Sequence, residues 1–378
     1  MTAERVQVLI IGAGPAGAMA AWTLATAGVR DVLVVEAHRL PRAKLCSGVI
    51  STKTLRWMQA VWVPFPAQAV IGASRHLVWR VGGRERLFVA PNDLLFVDRA
   101  QWDAGILAAA QAPTVRAPVT VQDGVRAVAY DRATRRVRLA DGTWIRADWV
   151  IGADGTAGIS TRAVHGQRVP QITAYEAQWA EVPIRPAVYL DWDLPGGYGW
   201  VFPKWAGVAV GGASAQAGWT PSRRAYLDQL AQGAGVHLPA GPVPGHGIPS
   251  HVPWPPTNGH CLLVGDAGGW ADPLIGEGIP YALWTGWAAA RALLTPDPAR
   301  TYTRWARRLG AWQRPLRWVA ALRQRTGAAW LGRWIADHPR REAWVWASLI
   351  ARPLPVLEGG QRIDGEETVT ITAGHPGG

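Results

Sequence analysis

Residues 6–36, VQVLIIGAGPAGAMAAWTLATAGVRDVLVVE, constrain this chain more than any other stretch. Val8 to Ile11 form an unbroken apolar run, the pattern of a strand buried on both faces of a parallel sheet. Gly12, Gly14 and Gly17 follow with the spacing G-x-G-x-x-G. The small residues from Pro15 to Ala27 predict a helix, Gly28 its end, and Val32 to Val35 a second strand that delivers Glu36. Gly12 permits the tight turn, Gly14 lets backbone approach a pyrophosphate, and Gly17 lets helix and strand pack closely. The helix N-terminus leaves N–H groups free for phosphate, and Glu36 is placed to accept from a ribose hydroxyl. The stretch therefore predicts dinucleotide binding rather than a βαβ unit whose glycines serve packing alone.

Composition narrows the class. A chain of 378 residues, about half of them apolar, allows one large or two medium domains. Cys46 and Cys261 are the only cysteines and are far apart, which points to a reducing compartment without a disulfide framework or zinc site. No metal site is expected. The apolar first strand begins almost at once, so no cleavable leader is expected, and no apolar run reaches the roughly 18 residues of a membrane span. These features suggest a cytoplasmic protein. The net charge of +12 is carried almost entirely by arginine, since Lys44, Lys53 and Lys204 are the only lysines. Without a zinc finger, RNP sequence or helix-turn-helix, this charge does not predict nucleic-acid binding.

Further along, residues 37–51 form a polar segment in which Arg42 and Lys44 can face phosphate or a flat ring's oxygens. Cys46 precedes Ser47 and Gly48, small residues that allow close backbone approach; the alternative for Cys46 is an inert buried thiol. Residues 76–81 and 86–90 flank Gly82-Gly83 as a hairpin, and Asp141-Gly142 marks another. Asp98 can cap a helix that carries Trp102, Ile106 and Leu107 on its apolar side. Arg99 lies in that helix's first turn, where it opposes the dipole and suits a ligand anion. A second buried strand ends in Gly152, Asp154 and Gly155, and a third in Gly265-Asp266, before a turn with Pro273, Gly276 and Gly278 that leads into a helix at Ile279. Residues 170–254 read as mainly β, in three strand-like runs. Within them, Tyr198, Trp200 and Phe202 alternate and so share one face of a strand.

The three glycine segments in this order, with PGGYGWVFP between the second and third, resemble the geranylgeranyl reductase family, within the FAD enzymes built like p-hydroxybenzoate hydroxylase. PGGYGWVFP fits that family's P-x-x-Y-x-W-x-F-P substrate motif at Pro195, Tyr198, Trp200, Phe202 and Pro203. PRAKLCSG is similar to its cysteine loop and GDAGGWADPLIGEGI to its terminal flavin motif. The resemblance covers roughly residues 6–295. It implies that Gly12, Gly14, Ala16, Gly17, Glu36, Cys46, Ser47, Arg99, Asp266, Gly278 and Ile279 cradle FAD, and that the aromatic face lines a prenyl tunnel. The reading of individual residues adds Arg42, Gly48, Asp154, Pro273 and Gly276 to the cofactor set.

The expected fold is an α/β (α+β two-domain) flavoprotein: a Rossmann-like FAD domain with a parallel sheet, an antiparallel β-sheet substrate domain and a C-terminal helical segment. The FAD domain is expected from residues 1–60, 97–165 and 255–300, the substrate domain from 61–96 and 166–254, the helical segment from 301–352, and a disordered tail from 353–378. The helical segment holds eleven Arg and seven Trp against two acids, with a break expected near Pro315 and an i, i+4 pair at Trp330 and Trp334. Two readings stand for it: a peripheral contact with the cytoplasmic membrane face, or a cap with a solvated arginine face.

The expected reaction reduces C=C bonds of a geranylgeranyl chain on a lipid, tetrapyrrole ester or quinone, with hydride from flavin N5 and a proton from Cys46, or else from Tyr198 or water. NADPH or reduced ferredoxin would supply electrons; an acidic carrier could dock on the arginine-rich segment. The rival functions are a flavin monooxygenase or halogenase, a non-redox prenyl-lipid cyclase, and a lipid- or carrier-binding protein with a vestigial flavin site. GYGWVFP has only one of the two tryptophans of the halogenase W-x-W-x-I-P stretch.

Overall fold

The computed structural model describes residues 4–81, 83–183, 187–215 and 219–326, with 337–338, 340–341 and 354–355. The chain opens with β1 (Glu4–Ile11), α1 (Pro15–Ala27) and β2 (Val32–Glu36). Next come β3 (Val49–Ile50), α2 (Thr52–Ala60), the long hairpin β4 (Val70–Val81) and β5 (Arg84–Val97), and α3 (Arg99–Gln111). Strands β6 (Thr120–Asp123), β7 (Ala127–Asp131), β8 (Arg136–Leu139) and β9 (Trp144–Gly152) precede the short α4 (Ser160–His165). Then follow β10 (Gln171–Trp179), β11 (Val188–Asp191), β12 (Gly197–Lys204), β13 (Gly207–Ser214), α5 (Trp219–Gly233) and β14 (Gly245–Pro249). The described part closes with β15 (Cys261–Leu263), α6 (Ile279–Ala292) and α7 (Pro298–Thr326).

These elements form an α/β fold with two sheets. The first has a parallel core in the order β6-β2-β1-β9, with β15 parallel to the C-terminal half of β9 and the β7–β8 hairpin beside its N-terminal half. β1 is central, with Ile10 between Val34 and Ile151, and both faces of it are buried. That burial is why its sequence is continuously apolar rather than alternating. Gly28 ends α1 in the left-handed region, at φ 82°. The second sheet runs β14-β10-β13-β12-β11-β4-β5-β3 and is antiparallel except where β11 lies parallel to β4. Asp98 caps α3 by accepting from the Ala100 and Gln101 N–H groups.

Several expectations need correction. Residues 170–254 include a helix, α5, whose Leu227, Leu230 and Ala231 at i, i+3 and i+4 are buried on the outer face of the second sheet. The strand-like run from Gly199 to Ser214 is two strands, β12 and β13, folded back at Trp205-Ala206. Val49–Ile50 pair with β5 in the second sheet rather than belonging to the first. Helix α7 runs through Pro315 without a break. Pro315 is on the exposed face, where water can take over the carbonyl bond its missing N–H leaves open. Of the expected disordered tail, Leu354 is buried in the main core, and the Pro355 carbonyl accepts from Trp284 Nε1 at 2.9 Å. The remaining tail residues and the Trp330–Trp334 pair lie outside the described residues.

Candidate active site

The parallel strands bring the three glycine segments together. β1, β2, β9 and β15 all end at the same edge of the first sheet, so Gly12, Glu36, Ala153 and Gly265 rim one crevice. A crevice outside the C-terminal ends of parallel strands is where such sheets bind ligands. Here it is a cavity of about 610 Å³ that continues from the glycine turn to the inner face of the second sheet.

At the first end, Gly12 has φ 101°, and a Cβ there would collide with the Ala153 carbonyl. A Cβ on Gly17 would collide with the Gly12 carbonyl, so Gly17 sets helix–strand packing and does not line the cavity. Gly14 differs: a Cβ would meet only Arg42 Nη2, at 3.4 Å, and would otherwise project into open space. Gly14 also starts α1 with no capping side chain and no acid in the first turn, which leaves the helix N–H groups available to an anion. Glu36 accepts from the Ala13 N–H at 2.8 Å and the His38 N–H at 3.1 Å, and pairs with Arg42 at 3.3 Å. Oε2, with the Ala13 N–H as its one donor, keeps lone-pair capacity for a ribose hydroxyl. Asp154 Oδ2 accepts from the Ile159 and Ser160 N–H groups, whereas Oδ1 is buried without a hydrogen-bond partner among the described residues. These features fit the adenosine and pyrophosphate part of FAD.

The cysteine loop supplies the middle of the cavity. Arg99 is buried and makes a two-pronged pair with Asp103, both bonds at 2.9 Å. Burial alone would lower its pKa; the attraction of Asp103 and Cys46 outweighs this and holds it above the ordinary value. Arg99 therefore has a protein partner as well as a place on the cavity wall. Lys44 contacts His246, and both line the cavity. Burial pushes His246 down to about 4, with Lys44 and Arg99 adding to the effect. Burial also lowers Lys44, against the pull of Asp266. Asp266 itself is raised by burial, against Lys44 and Arg99.

At the far end stands the aromatic wall. Tyr198, Trp200 and Phe202 line the cavity from β12 with ring centroids 5.4 Å and 6.3 Å apart in succession. The neighbouring row on β13 is Ala213, Gly211 and Ala209, and the next on β10 is Ala174, Glu176 and Gln178. The β13 residues are small, and over Gly211 the Trp200 indole crosses the strand to the partly polar β10 bank. Leu77, Leu94, Val188 and Leu190 extend the apolar lining. The Tyr198 hydroxyl donates to the Ile275 carbonyl, which joins the wall to the turn before α6.

That turn is braced by a buried polar cluster. Lys53 pairs with Glu277, and Ser51 Oγ donates to Glu277 Oε1 at 2.7 Å. Asp272 Oδ1 accepts from the Leu274 and Ile275 N–H groups, and Asp272 Oδ2 from Tyr281 at 3.1 Å. Gly276, Gly278 and Ile279 are thereby presented to the cavity.

Of the residues singled out by sequence, Gly12, Gly14, Ala16, Glu36, Arg42, Cys46, Ser47, Gly48, Arg99, Asp154, Asp266, Gly276, Gly278, Ile279 and the three aromatics share the cavity wall. Gly17, Pro195, Pro203 and Pro273 are outside it. Pro195 and Pro203 shape β12 instead: the Pro195 carbonyl accepts from Ser214, and Pro203 pairs with Val208. The sequence reading missed Glu176, Gln178, His246, Lys53 and Glu277. For Glu176 a signal was present, an acid within the otherwise strand-like ITAYEAQW.

Residues 5–194 match the family described as FAD binding domain. The digeranylgeranylglycerophospholipid reductase of Thermoplasma volcanium is 30% identical over 323 residues, spanning 76% of this chain and 78% of that protein. The solved structure of a geranylgeranyl bacteriochlorophyll reductase-like protein from Thermoplasma acidophilum superposes with TM-score 0.75 over 92% of this chain and 96% of that one, at 21% identity. The flavin-dependent brominase Bmp2 superposes with TM-score 0.74 over 94% and 96%, at 16% identity. Both superpositions establish the fold and leave the reaction to the residues of the site.

Proposed function

Because the chain belongs to the FAD-binding domain family, we propose that this FAD-dependent oxidoreductase saturates C=C bonds of a prenyl chain carried by a lipid, tetrapyrrole ester or quinone. One observation carries the reading: the aromatic wall and the dinucleotide cradle share a single cavity whose far end is apolar. Bound and reduced, FAD supplies hydride. The rest falls to side chains. Tyr198, Trp200 and Phe202 hold an apolar chain flat and keep water away. Cys46 is the assigned proton donor, because the Tyr198 hydroxyl already donates to a carbonyl. The proposed reductant is NADPH or reduced ferredoxin.

Among the described residues, no helix is long and apolar enough to cross a membrane. The outer stripe of α7 exposes Arg304, Arg307, Arg314 and Trp318, with Arg307 over the Trp254 ring at 5.5 Å. We propose this stripe as the contact for an anionic membrane face or an acidic electron carrier; either contact weakens with salt.

The test is anaerobic. Dithionite-reduced holoprotein mixed with a geranylgeranyl phospholipid regains the oxidised flavin absorbance under this reading. Reoxidation only with oxygen, coupled to an aromatic substrate, would instead identify a monooxygenase or a halogenase such as the brominase Bmp2.

A further inference from the structure

Glu176 is an acid that the reading above does not use. It is 3% exposed and faces the cavity from β10. In register it opposes Gly211, which in turn opposes Trp200. Its Oε2 accepts from Trp200 Nε1 at 2.7 Å and contacts the Ser47 hydroxyl, and its Oε1 accepts from Gln178 Nε2 at 2.6 Å. Gln178 Nε2 also donates to the Cys46 carbonyl at 2.9 Å, so the cysteine loop and Glu176 are held against one strand. The nearby cation, Lys204, bonds to Gln178 Oε1 at 2.6 Å; among the described residues no ion pair reaches Glu176 itself. These donors favour the ionised carboxylate, whereas burial without an ion pair favours the protonated one. Burial accordingly raises the Glu176 pKa, against Ser47, Gln178, Trp200 and Lys204.

Saturating one double bond consumes one proton, which a buried acid on the cavity wall can store. We propose that Glu176 is that store: its carboxyl proton, relayed by the Ser47 hydroxyl, restores the Cys46 thiol after each reduction. The inference rests on the assignment of Cys46 as donor. In the balanced step, the alkene π bond breaks, and one carbon takes hydride while the other takes the Cys46 proton. The thiolate then takes the Ser47 proton, Ser47 takes the Glu176 proton, and solvent reprotonates the carboxylate once product leaves. Glu176 acts through its neighbours and is a positioning and proton-storing residue rather than the group that meets the alkene.

Glu176→Gln keeps the shape and removes the proton. The expected variant binds FAD and loses less in a single turnover than in steady state. Its steady-state rate falls about tenfold or more, and Glu176→Asp recovers part of the loss. Infrared spectra of the flavin-free protein at neutral pH should show carboxylic-acid C=O absorbance that Glu176→Gln diminishes. Equal losses in single and multiple turnovers, an unchanged steady-state rate, or undiminished absorbance would overturn the inference. If Glu176→Gln does not fold, Glu176→Asp must lose more in steady state than in a single turnover, and equal losses in the two overturn the inference. Active wild-type protein with unaffected variants sinks this inference alone. Wild-type protein that reduces no prenyl alkene sinks it together with the proposed function.

Discussion

The Trp200 indole reaches across strand β13 to donate to Glu176 at 2.7 Å, and it can do so only because residue 211, between them, has no side chain. A Cβ on Gly211 would collide with the indole ring. One glycine therefore sets both the tilt of the aromatic wall and the anchoring of the buried acid.

Gly211→Val should displace Trp200 and break this hydrogen bond. Overpacking of this kind costs about 1–3 kcal/mol, so the protein should still fold. Chemical denaturation should register that loss, FAD content should stay near wild type, and prenyl reduction should fall at least about tenfold. Wild-type activity in a folded Gly211→Val protein would show that the wall's geometry does not matter.

Gly14 and Gly17 should separate ligand binding from packing. Gly14→Ala puts a methyl group into open cavity beside Arg42, so the flavin-free protein should keep its stability to within about 0.5 kcal/mol while purifying colourless. Gly17→Ala drives a methyl group into the Gly12 carbonyl and should destabilise the apoprotein itself. Absorbance for bound flavin and thermal melts of the stripped protein distinguish the two.

Lys53 and Glu277 form a pair with side chains 0% and 11% exposed. Lys53→Met strands the carboxylate and should cost about 3–5 kcal/mol in urea denaturation. The double variant Lys53→Met/Glu277→Leu should recover more than half of that, because two matched apolar groups leave no orphan charge. A double variant as unstable as the single would show that the pair's geometry, rather than charge burial, supports the turn.

His246 gives the stability a pH dependence of definite sign. Its folded pKa, about 4, is below the ordinary 6.5. The unfolded chain therefore takes up the proton first, and the stability His246 contributes is present above about pH 6.5 and lost as pH falls through about 4. Lys44, in contact with it, and Arg99 both disfavour its charging, and Asp266 favours the charged form of Lys44. The raised carboxyls of Glu176, Asp154 and Asp266 act the other way, since their contribution is present at low pH and lost as pH rises. Comparison with His246→Asn isolates the histidine. Between pH 6.5 and 4 the flavin-free wild type should lose more Tm than the variant, and parallel curves would contradict the assignment.

What could be read from sequence and what could not divides along chain distance. The β1–α1–β2 unit, the Gly28 stop and the Asp98 cap depend on residues a few positions apart, and the structure has them where the spacing places them. Helix α5 lies in a stretch read as mainly β, although Leu227, Leu230 and Ala231 carry a helical period. Pro315 reads as a break until the orientation of α7 places it on the solvent side. For Glu176 the acid within a strand-like run was visible, but its role was not. Its importance comes from lying in register with Gly211 and Trp200, and a register between strands of distant sequence leaves no local pattern.

The measurement that bears most directly on the central claim is mass spectrometry of a geranylgeranyl compound incubated without oxygen with dithionite-reduced holoprotein. Saturation of the prenyl chain predicts products heavier by two hydrogens per step, absent when Trp200 or Cys46 is replaced by Ala. A substrate recovered at unchanged mass, or a product carrying oxygen or halogen once air is admitted, would contradict it.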